Sequence, residues 1–267
     1  MQFIERNMFA VRSAVFHLRR REGGLEFVLF PMIHVGEQSF YDGVAERLVT
    51  CDFILFEGVP SRKVAALTRA YRHLDKMKRL GLVSQHSLNL RQFRDRLVHA
   101  DMNAEEFGSG WSKLPPSEKF LVAVLVPVFV VIMFVCGTKE LLGDYLEVED
   151  LPSRRDIFLK GDALEDLIVD QRDAVLIRRI EAFHAEHGAS DKKAAILYGA
   201  AHMPAVVRFL KGRLKYHVTK SEWLTVFEFD AKWDVRERRK KRAFPARGED
   251  SPPLRPELGA GTDNFGD

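Results

Sequence analysis

Cysteine is nearly absent: only Cys51 and Cys136 occur in 267 residues, and neither sits in a C-x-x-C or zinc-knuckle spacing. That excludes a disulfide framework, and both residues are expected as reduced thiols. Charge of one sign is equally scarce, with 41 Lys and Arg against 38 Asp and Glu, a net +3. Composition therefore gives no reason to expect a nucleic-acid partner. The opening residues Met1 to Asn7 lack a basic stretch followed by an apolar core, so no secretory signal is expected, and the chain reads as cytoplasmic. No phosphate-binding P-loop and no G-x-G-x-x-G occur, and Gly108-Ser109-Gly110-Trp111 is not a G-x-S-x-G elbow. His184 and His187 are three apart at a polar helix end, without the H-E-x-x-H order of a zinc peptidase.

What is present is a series of short apolar runs. Phe9 to Leu18 and Leu25 to Val35, separated by a charged turn ending in Gly23-Gly24, read as a hairpin. The second run is apolar almost throughout, as in a strand buried on both faces. A helix is expected from about Ser39, as its cap, to Val49, with Val44, Leu48 and Val49 at helical spacing. Asp52 to Gly58 then forms a strand paired with the one that ends at His34. Strand, helix and strand in about thirty residues imply a parallel βαβ unit. Residues 61 to 110 read as mainly helical, and Asp101 as the cap of a helix start. A long helix is expected from about Gly161 to His187, ended by Gly188. Lys193 to Tyr198 is a further buried strand, followed by Gly199 to His202, a helix to Leu210, and strands at Lys215 to Val218 and Leu224 to Phe229.

The expected fold is α/β: a central, mostly parallel sheet from two loosely repeated βα halves, with a helical insert at about 61–190. This domain spans 1–235. Beyond it, 236–267 is basic and rich in Pro and Gly, the composition of a disordered tail. One segment stands apart, Phe120 to Cys136, which is uncharged and has Pro127 at its middle. As a helix it would cover roughly 26 Å, just short of a bilayer core. A single span would put His34 and Glu57 on one side of a membrane and His202 on the other. A shared site therefore leaves three options for 120–136: a buried helix, a homodimer interface, or membrane-surface contact flanked by Trp111, Lys113 and Lys119.

Three residues carry the chemistry. His34 and His202 each follow a buried strand, where the backbone is rigid and the side chain faces the crevice. Glu57 closes its own strand, where an unpartnered carboxylate would be costly. Two imidazoles and a carboxylate form an open metal site that leaves room for water and substrate. Each residue alone also has a structural reading, a hydrogen-bonded core histidine or a capping glutamate. It is their recurrence at strand ends that points to a metal.

The stretch from His34 to Glu57, a histidine after a strand and a D-x-x-x-x-E strand about twenty residues on, resembles the first motif block of the TraB/PrgY–Tiki superfamily. Tyr198-Gly199-Ala200-Ala201-His202 resembles the second block, G-x-x-H before a helix. Gln171-Arg172-Asp173 is similar to the R-D helix ahead of that block, and the start at Asp101 to a middle helix. The likeness spans roughly residues 25–230. It implies a duplicated α/β fold and a metal-dependent hydrolase of peptidase type. Its metal ligands would be His34, Glu57 and His202, and Glu57 would also be catalytic. The ion would be Mn, Co, Zn or Fe, and the substrate a peptide or a small amide or ester. Arg172 would stabilise an oxyanion or orient Glu57, with Asp101 and Gly199 behind the ligands. The alternative on the same scaffold is a non-catalytic protein that sequesters a peptide or hydrophobic ligand. The first block departs from the pattern, reading Pro31-Met32-Ile33-His34 where G-x-x-H is usual. The proline fixes φ and removes an N–H at that approach.

Overall fold

The structure, a computed structural model, describes residues 1–58, 80–124, 128, 138–144, 148–149 and 162–229. Within them the chain forms strands β1 (Gln2–Arg6), β2 (Ala10–Arg19), β3 (Glu26–Met32), β4 (Val35–Gly36) and β5 (Phe53–Phe56). β6 (Val83–Ser84), β7 (Leu97–His99), β8 (Val148–Glu149), β9 (Lys193–Gly199) and β10 (His217–Glu228) follow. The principal helices are α1 (Gln38–Leu48), α2 (Ala104–Lys113), α3 (Gln171–His187) and α4 (Met203–Gly212). The fold is α/β around one mixed sheet, in the order β7-β5-β9-β3-β2-β1-β8, with β10 also on β2. β7, β5, β9 and β3 are mutually parallel, and β2 joins β3 antiparallel.

The hairpin forms as its sequence demands: Gly23 and Gly24 take φ of 84° and 87°, a region closed to most other residues. Alternation in the parallel strands sends side chains to two opposite cores. Val28, Phe30, Ile54, Ala195 and Leu197 pack with Phe40, Tyr41, Val44 and Leu48 of α1. Phe27, Leu29, Leu55, Ala194, Ile196 and Tyr198 pack with α3 and α4, through Leu176, Ile180, Met203, Val206 and Leu210. Burying each such aliphatic or aromatic side chain contributes about 1.5–3 kcal/mol. The three layers hold the parallel strands rigid and present their C-terminal ends together.

Several expectations change. β5 does not pair with β3: β9 lies between them, in parallel register with both. β9 carries no charge between Ala194 and Tyr198, which suits it to the more enclosed position. α1 begins at Gln38, and its N-cap is Glu37 without a side-chain hydrogen bond, so Ser39 is not the cap. Val49 is exposed rather than in the core. Residues 80–103 are short strands and 3-10 turns rather than mainly helix, and β7 joins the main sheet. The two C-terminal strands are one, β10, because β2 offers it pairing from Ala10 to Arg19. The long helix expected here is, from Asp162 on, interrupted by a π-helical turn, Asp166–Asp170, just before α3. Gly188 does end α3, in a right-handed conformation in which a Cβ would meet the His184 carbonyl oxygen at 2.6 Å.

Cys51 is a buried free thiol, which burial pushes up to about 11. Cys136, most of the apolar run (125–127 and 129–137), residues 59–79 and the tail from 230 lie outside the described residues. Of the apolar run, Phe120, Val124 and Val128 are exposed at 70%, 40% and 45%, while Val122 is buried. Among the described residues, no helix is long and apolar enough to cross a membrane.

Candidate functional site

The four parallel strands each deliver polar groups at their C-terminal ends. Taken across the sheet these are Asp101 after β7, Glu57 after β5, Gly199 and His202 at the end of β9, and His34 after β3. Ligands of open α/β sheets bind at this edge. Residues far apart in sequence thus meet because strand order, not sequence order, decides adjacency.

His34 is exposed, on a loop held from both sides. The buried Tyr41 hydroxyl donates to the Ile33 carbonyl at 2.9 Å, and the Gln85 amide to the His34 carbonyl at 2.8 Å. The Gln85 side chain also meets His34 Nδ1 at 3.1 Å. His202 lies in the 3-10 turn Ala200–His202 and is buried. Its Nδ1 meets Asp173 Oδ1 at 2.7 Å, and the Tyr198 ring stands edge-on to it at 4.9 Å. Both imidazoles are therefore held through Nδ1.

Glu57 is fixed by two donors. Arg172 Nη2 donates to Oε1 at 2.5 Å, and the Gly199 backbone amide to Oε2 at 2.6 Å. Arg172 also grips Asp101, through Nε to Oδ1 at 3.0 Å and Nη2 to Oδ2 at 2.6 Å. Asp101 is wholly buried and also accepts the Gly58 and Met102 amides, at 3.0 and 2.8 Å. It is thus a buried clamp residue and not a helix cap. The cap of α2 is Asn103, in a reciprocal box with Glu106. For Arg172, the two readings, orienting Glu57 and bridging to Asp101, coincide in one guanidinium.

The electrostatics follow from these contacts. Burial alone would raise the Glu57 carboxyl; the Arg172 charge foremost, then His202 and His34, hold it below the ordinary range. Burial likewise opposes Asp101 ionisation, and Arg172, Tyr198 and the Met102 amide outweigh it. Arg172 is raised, since its hydrogen bond to Asp101 and the Glu57 charge overcome its own desolvation. Tyr198 is raised by burial and by both carboxylates, so its phenol stays neutral. A carboxylate held low in the fold stabilises above its unfolded value and loses that contribution as pH falls through its folded value. Urea unfolding should therefore show stability dropping below about pH 4, with a shallower drop in Asp101→Asn.

Gly199 is where the backbone must come close. A Cβ there would lie 3.1 Å from Glu57 Oε2 and 3.4 Å from His202 Cδ2. Gly199→Ala is expected to destabilise by about 1–3 kcal/mol through overpacking, measured by chemical denaturation; an unchanged midpoint would show that Glu57 and His202 do not pack around this residue.

The donor types, two imidazoles and a carboxylate, suit a divalent ion, and so does the way each ring is held by Nδ1. Among the described residues, however, no three His, Cys, Asp or Glu side chains close on a single point where an ion could sit. Each Glu57 oxygen accepts one of these hydrogen bonds, so each keeps a further lone pair with which to meet an ion. Asp173, Gln85 and Tyr198 were not legible as site residues; of these only Asp173 carried a signal, its place beside Arg172. Comparison of the chain with protein-family models, curated proteins and solved structures gave no match.

Proposed function

We propose that the strand-end crevice is a hydrolytic centre of the TraB/Tiki type, acting on a peptide bond or a small amide or ester. It would hold a divalent ion, Mn, Co, Zn or Fe, on His34 and His202 with Glu57 beside them. The single observation carrying this reading is that these three residues follow the C-terminal ends of β3, β5 and β9, strands that are neighbours in the sheet. Such an ion would supply Lewis-acid chemistry, polarising a carbonyl and activating water. The protein's own groups do the rest. Arg172 and the Gly199 amide keep Glu57 anionic and aimed, and Asp101 holds the Arg172 guanidinium in place from its other side. The two βα halves of this reading are β3-α1-β5 and β9-α4-β10.

A chelator should abolish turnover of a peptide library by the full chain, and re-added metal should restore it. Pro31 at the place of the first-block glycine, with no three ligands closing on one point among the described residues, favours a second reading, a non-catalytic protein that sequesters a peptide or hydrophobic ligand. Peptide binding that survives Glu57→Gln, with no wild-type turnover under any metal, selects it. The exposed Phe120, Val124 and Val128 support membrane-surface contact or a homodimer through 120–136. A cytoplasmic setting is part of the same proposal.

A further inference from the structure

α3 opens directly after the π-helical turn Asp166–Asp170, and its first residues point two side chains at the strand ends. A π turn shifts the phase of the helix beyond it, and such turns recur at functional sites. Arg172 reaches Glu57 and Asp101, while Asp173, next in sequence, reaches His202. The Asp173–His202 pair is enclosed, with side chains 17% and 6% exposed. An exposed ion pair of that length would carry little meaning; an enclosed one restricts the ring.

An ionised carboxylate only accepts hydrogen bonds, so Nδ1 of His202 must carry the proton. The opposite edge of the ring faces Gly199 and Glu57: a Cβ on Gly199 would stand 3.4 Å from His202 Cδ2 and 3.1 Å from Glu57 Oε2. Tyr198, edge-on to the ring, limits its rotation.

We propose that Asp173 is a positioning residue that restricts the His202 ring, whenever it is neutral, to the Nδ1–H tautomer, leaving the Nε2 lone pair on the side of Glu57. Solvated histidine favours the other tautomer, so the protein must impose this one. The consequence for metal binding rests on the reading of His202 as a ligand; the tautomer does not. Ligating histidines held in this way lose about 10–100-fold in metal affinity when the partner is removed.

The test uses the full chain, labelled with 15N-histidine and freed of metal. Long-range proton–nitrogen correlation at about pH 8.5, where an ordinary imidazole is neutral, reads the His202 tautomer, assigned by its loss in His202→Ala. Zinc chloride is titrated into the same samples by calorimetry. The wild type should show the Nδ1–H form. Asp173→Ala should move His202 to the Nε2–H form and weaken zinc binding about 10–100-fold. Asp173→Asn, which keeps an acceptor without the charge, should fall between, and it reports if the alanine variant does not fold. An Nδ1–H form that persists in the variants overturns the proposal. If the tautomer follows Asp173 but the wild type takes no zinc, the positioning role stands and the metal reading falls. Zinc bound equally by wild type and Asp173→Ala, with His202 in the Nδ1–H form in both, removes the positioning role and leaves the metal reading.

Discussion

Arg172→Met should destabilise the fold by about 3–5 kcal/mol, the range for breaking a buried ion pair from one side. The guanidinium is the common partner of two carboxylates, Glu57 at 2.5 Å and Asp101 at 2.6 Å. Methionine fills similar volume but donates nothing, leaving two anions in a low-dielectric setting. Asp101 keeps the Gly58 and Met102 amides and Glu57 keeps the Gly199 amide, so the loss is bounded rather than total. Both carboxyls should then titrate upward, because Arg172 is the leading favourable charge on each. Arg172→Lys should recover part of the loss, since an ammonium supplies charge but not the fork that meets both Asp101 oxygens. Urea unfolding at neutral pH measures this, and a loss below about 1 kcal/mol, the value of an exposed pair, would contradict the clamp.

His34→Ala carries the other large effect, on function with almost none on stability. His34 is exposed, and substitutions at such positions change stability by about 0.5 kcal/mol or less. A ligand's removal should nevertheless weaken metal binding beyond the ~10–100-fold expected for losing a partner behind it, and turnover should vanish with it. His202→Ala should do the same for metal, but it also empties a buried position against Tyr198 and Asp173, so its stability falls too. The contrast between the two variants separates chemistry from folding. Equal metal affinity in His34→Ala and wild type would remove His34 from the centre.

Much of this architecture is legible in local sequence. The apolar runs at Leu25 to Val35, Asp52 to Gly58 and Lys193 to Tyr198 mark strands, and His34, Glu57 and His202 stand at their ends. Strand order is not legible, because apolar runs record burial and not neighbours; β9 therefore enters between β3 and β5 unannounced. At Asp101 the local signal was readable and points away from a cap. Asn103 and Glu106 have the spacing of a capping box, whereas Asp101 has alanine at the matching place, which frees it for Arg172. Asp173 could not be placed beside His202 from sequence, since only the packing of α3 against β9 and its following turn makes that contact. β10 reads as two strands in sequence because the polar stretch between Thr219 and Glu222 looks like a loop until β2 pairs with it.

Elemental analysis of the purified full chain, supplied with Mn, Co, Zn and Fe and set beside His34→Ala/His202→Ala, measures most directly whether two imidazoles from separate strands share one ion. One equivalent of metal in the wild type and none in the double variant is the expected result. A wild type without metal, or a double variant that retains it, contradicts a metal centre at these strand ends.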